Sequence, residues 1–341
     1  MTYPENGGYI TVTTDSLNAL YDKRDELMGE KPRKVLFSDM DGVLEPDDLA
    51  LTYWGLLDPE HGEAKFRETS DAVLVPAGQG RCPYGFTLVV IAKYGPLYEG
   101  VLRAVGRNVR LTPGAEMFAR MLKEAAVDDV VATTCAYDAS AEEVCKRVGI
   151  NEYSSIEFDA DGRLKVFIGG KGKTKAAREW LGKKNLPDSD AFVLGDSWTD
   201  FNIVQDFRPG SVMFNPKYPE INVLASANVY SPDLRGVVQV FDVKRTFAQD
   251  TEITPEWVVF RGEKEKPEDL VREEMDTAKR MRERIASEVE AGFPRSEMLR
   301  IIRESEGLGK GAAFDMSEMD VSRCVETVIE RHAEFLQALK S

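Results

Sequence analysis

Short apolar runs that stop at polar loops, with helix-patterned stretches between them, limit this chain more than any other feature. "KVLFSDMDG", "DVVATTCAYD", "AFVLGDSWTD" and "GSVMFN" each place a few consecutive apolar residues ahead of a polar or glycine-containing turn. Runs without polar alternation read as strands buried on both faces. Strands alternating with helices imply an α/β fold, a doubly wound parallel sheet with helices on both sides. Ligands of such sheets bind outside the carboxyl ends of the strands.

The helices carry their own signals. In "LTPGAEMFARMLKEAA", Thr112 reads as the N-cap and Pro113 as the first helical residue, with Met117, Phe118, Met121, Leu122 and Ala125 on one apolar face. "SAEEVCKRVGI" reads as a second helix. "KGKTKAAREWLGKKN" is expected to be helical to near Gly182, with Ala177, Trp180 and Leu181 inward. "SSIEFDADGRLKVFI" reads as a hairpin turning at Asp161-Gly162.

Two segments break this rhythm. Residues 45–109 interrupt the alternation after the first strand, and read as an inserted cap between a core made of 34–44 plus 110–245. Residues 246–341 read as an acidic, helical extension, and residues 1–33 as an N-terminal segment. Val271, Met275, Ala278, Met281, Ile285 and Val289 recur at helical spacing, as do Val321, Cys324, Val325, Val328, Phe335 and Leu339. Such stripes form core or an assembly face, so a second copy or a protein partner is the expected contact of this tail.

Of 341 residues, 43% are hydrophobic and 30% charged, as in ordinary globular proteins. The net charge of −15 argues against nucleic acid or an anionic membrane as partner, because phosphate-backbone binding needs a basic surface. No run is long enough to span a bilayer, and the amino terminus lacks a secretory pattern, so the cytoplasm is the expected location. Four cysteines form no C-x-x-C pair, and His61 and His332 are the two histidines. A histidine-based site is thus excluded in favour of carboxylates for proton transfer.

The strand-end loops supply those carboxylates. Asp39 and Asp41 are two residues apart, a spacing that either makes a solvated Asp-Gly turn or aims both into one crevice. Thr133, Thr134 and Cys135 follow the next run, Lys171 and Lys173 lie in "GGKGK", and Asp196 and Asp200 lie in "GDSWTD". "FIGGKGKT" is not a P-loop, since Phe167 stands where the first glycine is required.

In this order the loops resemble the four motifs of the haloacid dehalogenase superfamily, most closely its phosphoserine phosphatase branch. The likeness runs over residues 34–245, roughly three fifths of the chain, and includes "LTPG" and "GGKGK". "RCPYGFTLVVIAKYG" more loosely resembles uncharacterised archaeal relatives. The resemblance implies a Rossmann-like fold of that type and a Mg²⁺-dependent phosphomonoester hydrolase acting on a small phosphorylated metabolite. Asp39 would be the nucleophile and Asp41 the general acid and base. Mg²⁺ would be held by Asp39, Asp196 and the Asp41 carbonyl, with Asp200 behind them. Lys171 aligns with the family lysine, Lys173 being the alternative, and Thr134 with the phosphoryl-binding hydroxyl, Thr133 and Cys135 flanking it. Asp48 aligns with a cap glutamate that grips the substrate; capping the next helix is its other reading. A cap arginine is not placed among Arg67, Arg81, Arg103 and Arg107. The competing readings are a phosphotransferase, and a non-catalytic subunit that binds a partner through its tail.

Overall fold

In the computed structural model, the run at Val35 becomes an inner strand of a sheet with nine strands among the described residues. The structure describes residues 10–12, 24, 25, 27, 33–46, 48–57, 97, 99–158, 164–166, 168–216, 222, 224–241 and 257–260. The strands are β1 (Ile10–Val12), β2 (Val35–Ser38), β3 (Asp129–Tyr137), β4 (Glu152–Phe158), β5 (Leu164–Val166), β6 (Ala191–Gly195), β7 (Ser211–Phe214), β8 (Ala227–Tyr230) and β9 (Trp257–Phe260). The helices are α1 (Leu49–Leu57), α2 (Glu99–Asn108), α3 (Ala115–Ala125), α4 (Asp138–Val148), α5 (Lys171–Lys184), α6 (Phe201–Asp206) and α7 (Arg235–Phe241).

The strand order is β1-β9-β8-β7-β6-β2-β3-β4-β5. From β4 across to β8 all neighbours are parallel, while β5, β9 and β1 add antiparallel edges. Strand β2 sits between β3 and β6, with Val35 opposite both Asp129 and Ala191. The chain winds outward through β3 and β4, then returns to build β6, β7 and β8 on the other side. The crevice at the carboxyl end of β2 is therefore the topological switch point where such sheets bind ligands.

Side-chain alternation along β2 separates two hydrophobic layers. Leu36 joins Phe118, Leu122, Val144, Val148, Val237 and Val240, from α3, α4 and α7. Val35 and Phe37 join Ala177, Trp180, Leu181, Ile203 and Val204, from α5 and α6. Helices thus cover both faces, and the α/β doubly wound expectation holds.

Several local expectations shift. Helix α3 is capped by Gly114, at φ 83°, and not by Thr112. Thr112 instead donates its N–H to Leu44 O at 3.0 Å, and Pro113 accepts from Leu234 N–H at 2.8 Å, so "LTPG" is a buttressed turn. A side chain at Gly114 would collide with Asp233 Oδ1 at 2.4 Å. Met117 lies 38% exposed, off the apolar face expected for it. Helix α5 runs two residues past Gly182 and is capped by Asn185 in the left-handed region.

Both described ends of the 45–109 segment pack against the Leu36 layer. Leu49, Tyr53 and Trp54 of α1 and Leu102 and Val105 of α2 belong to the Leu36 layer. Arg103 pairs with Glu142 at 2.6 Å and Glu143 at 3.2 Å on α4. Gly106 lies so close to α4 that a Cβ would meet Ser140 O at 2.4 Å. Residues 58–96, the middle of the expected cap, lie outside the described residues, as do Arg67, Arg81 and the two apolar stripes of the tail. The tail contributes a described strand: β9 pairs with β8 and β1, burying Val258 and Phe260. Among the described residues, no helix is long and apolar enough to cross a membrane.

Candidate active site

Three loops meet at the carboxyl ends of β2, β3 and β6. Asp39 follows β2 directly and donates its N–H to Leu194 O at 2.8 Å, which extends the pairing with β6 and fixes its backbone. Gly42, at φ 82°, then turns the chain back through a hydrogen bond from its N–H to Glu45 O at 2.7 Å. That left-handed turn needs glycine. On β3, pairing with β4 shifts register between Thr133 and Tyr137, and Thr134 Oγ1 accepts Ala136 N–H at 2.9 Å. Such irregularities redirect side chains near sites. Thr133 and Thr134 are both buried, whereas Cys135 is half-buried, with its thiol pushed well above the usual range by burial.

The lysine and acidic loops are tied together. Gly170 donates its N–H to Thr199 O at 3.1 Å. Ser197 and Asp200 form a capping box, a pattern that "S-W-T-D" spells in the sequence. Asp200 Oδ2 accepts the N–H groups of Asp196 at 3.0 Å and Ser197 at 3.2 Å. Gly195 makes this closure possible, because a Cβ there would meet Asp200 Cγ at 2.5 Å.

At the centre, the Lys173 ammonium lies 2.7 Å from Asp39 Oδ1 and 2.7 Å from Asp200 Oδ1. All three side chains are buried. Lys171, the residue the resemblance preferred, is exposed at the start of α5. The reason is helical phase. Lys173 shares the inward stripe of Ala177, Trp180 and Leu181, at spacings of four, seven and eight, while Lys171 does not.

Asp39, Asp196 and Asp200 each bring a carboxylate oxygen within 4.8 Å of the others. When ionised, three carboxylates beside one ammonium carry two negative charges that the lysine does not balance. That donor set of hard oxygens and that charge suit a divalent cation. Burial, then the neighbouring Asp200, push the Asp39 carboxyl up, and Lys173 opposes them. Burial disfavours the Lys173 ammonium, but Asp200 and Asp39 outweigh it and hold the lysine charged above its usual range.

Asp41 stands at the mouth of this cluster, half-buried. Its Oδ1 accepts Leu49 N–H at 3.0 Å, and Thr134 Oγ1 donates toward its Oδ2 at 3.4 Å. Asp48 caps α1, its Oδ1 accepting Leu51 N–H at 2.9 Å, so of its two expected roles the cap is the one the geometry shows. Arg107 is exposed on α2.

No family model matches the chain, and no curated protein matches it in sequence. Solved structures do match. A substrate-bound phosphoserine phosphatase is 15% identical, with a TM-score of 0.51 over 62% of this chain and 100% of its own. A phospho-aspartyl intermediate analogue of phosphoserine phosphatase gives 16% and 0.51 over the same shares. A gene product of Archaeoglobus fulgidus is 16% identical, with a TM-score of 0.52 over 74% of this chain and 96% of its own. The chain therefore shares its fold with these phosphoserine phosphatase structures.

Proposed function

We propose that the protein is a phosphomonoester hydrolase that works through an aspartyl-phosphate on Asp39. The observation that carries this reading is the buried Asp39–Lys173–Asp200 arrangement beside Asp196, at the switch point of the sheet. Asp39 Oδ1 is engaged by Lys173 and by Met40 N–H at 2.8 Å, leaving Oδ2 as the attacking oxygen. Attack on phosphorus forms the acyl phosphate and breaks the ester P–O bond, splitting one difficult displacement into two. Asp41 donates a proton to the leaving alkoxide, then takes one from the water that attacks the acyl phosphate. That second step releases phosphate and restores Asp39. Thr134 holds a phosphoryl oxygen by its hydroxyl, and Lys173 screens the nucleophile from the incoming anion. Asp39, Asp196 and the Asp41 carbonyl would hold Mg²⁺, which would supply the remaining positive charge against nucleophile and phosphate. Asp200, both oxygens engaged, orients Lys173 and the Asp196 backbone.

The proposed substrate is a small phosphorylated metabolite. Phosphoserine is the first candidate, supported by the likeness to a substrate-bound phosphoserine phosphatase. The test is phosphate release from a panel of small phosphomonoesters, phosphoserine included, with Mg²⁺ and with excess chelator. Wild type should release phosphate only with the metal, and Asp39→Asn should fall to background. Release by Asp39→Asn at the wild-type rate would remove the mechanism.

A further inference from the structure

Helix α1 does more at this site than cover it. Its first residue, Leu49, aims its N–H at Asp41 Oδ1, 3.0 Å away. This is one of the N-terminal donors that a helix leaves without an internal partner. The positive end of the helix dipole adds to its pull on a carboxylate. The helix end is itself set by Asp48. Its Oδ1 accepts Leu51 N–H at 2.9 Å, and its carbonyl accepts Thr52 N–H at 2.8 Å, the first bond of the helix. Further along, Tyr53 and Trp54 are buried, and Tyr53 packs edge-on against Trp54 at 4.9 Å and Tyr137 at 6.5 Å. Tyr137 ends β3, the strand that carries Thr134. The helix is thus anchored to the same strand that presents Thr134, a further partner of Asp41.

We infer that Asp48 is a positioning residue for the leaving-group step: by capping α1 it holds Leu49 N–H in place, and that N–H holds Asp41. The inference rests on the phosphatase reading for the role of Asp41, but the contact itself does not. Asp41 is held between two donors, Leu49 N–H on one oxygen and the Thr134 hydroxyl on the other. With one of them lost, the side chain can rotate away from the ester oxygen. Small misplacements of a proton donor have large kinetic effects.

Protonation matters for a poor leaving group and hardly at all for a good one, so substrate choice exposes the role. Asp48→Ala should lower kcat/KM, which reports the phosphoryl transfer to Asp39 and not the later hydrolysis, about 10- to 100-fold on an alkyl phosphomonoester. On p-nitrophenyl phosphate the loss in kcat/KM should stay within about threefold, since that phenol leaves without a proton. Asp48→Asn, an equally good cap, should restore the alkyl rate. Leu49→Pro removes the N–H itself at a position where proline suits a helix, and should reproduce the alkyl-selective loss with Asp48 intact. Equal losses on both esters in Asp48→Ala would overturn the inference. So would failure of Asp48→Asn to rescue, above all if it abolished a preference for amino-bearing esters, because Asp48 would then contact substrate. A readout without turnover separates this inference from the phosphatase reading. Leu49 N–H should exchange slowly in wild type and fast in Asp48→Ala and Asp41→Ala. If wild type hydrolysed neither ester, the phosphatase reading would fall, while unchanged Leu49 exchange in both variants would sink the clamp.

Discussion

Lys173 places its ammonium 2.7 Å from Oδ1 of Asp39, although Asp39 follows β2 and Lys173 lies in the first turn of α5, and both are buried. The contact joins a nucleophile candidate to a cation that also pairs with Asp200 of the Asp39–Asp196–Asp200 cluster. Lys173→Met should lower kcat/KM for phosphate release at least about 10²-fold, measured in saturating Mg²⁺. Lys171→Met, which alters an exposed charge, should stay within about threefold. The reverse order of effects would return the role to Lys171.

The two lysines also show what the sequence carries and what alignment to a motif leaves out. Spacing from the inward residues Ala177, Trp180 and Leu181 selects Lys173, because a helix turns one residue in every 3.6 toward the same side. Order along a motif does not contain that phase. The strands β2, β3, β6 and β7 were legible because each is a short apolar run between polar turns, and the hairpin of β4 and β5 because two such runs flank a turn. Strand β9 was not: "WVVF" stands alone in an acidic tail, and its partners β8 and β1 are distant in sequence. Asp48 shows a third case, in which one carboxylate suits both a helix cap and a substrate ammonium, and the position of Leu51 N–H shows the cap.

Gly195 separates a structural role from a chemical one. Gly195→Ala would put a methyl group 2.5 Å from Asp200 Cγ and force that side chain off its bonds to Asp196 and Ser197. The variant should lose about 1–3 kcal/mol of stability in denaturant unfolding. Its phosphate release should fall more than its stability loss explains at a temperature where it stays folded. An alanine variant with wild-type stability and activity would show that Asp200 is not held as described.

The edge strand of the tail should matter for folding. Phe260 is fully buried against the Leu36 layer, at the far side of β8. Phe260→Ala should destabilise the protein by about 3–5 kcal/mol in denaturant titration. Truncation at residue 246 removes β9 and leaves the β8 edge open, and should yield aggregating protein. A soluble truncation with an unchanged melting transition would contradict the pairing of β9 with β8.

The most direct test of the central claim is to trap the phosphoryl group on the enzyme. Borohydride reduces an acyl phosphate to an alcohol, so a phosphorylated aspartate is recovered as homoserine. Peptide mass spectrometry of protein quenched in borohydride during turnover should find homoserine at position 39, with substrate and Mg²⁺ both required. Turnover with no homoserine at position 39, or with homoserine at position 41 or 196 instead, would contradict the account.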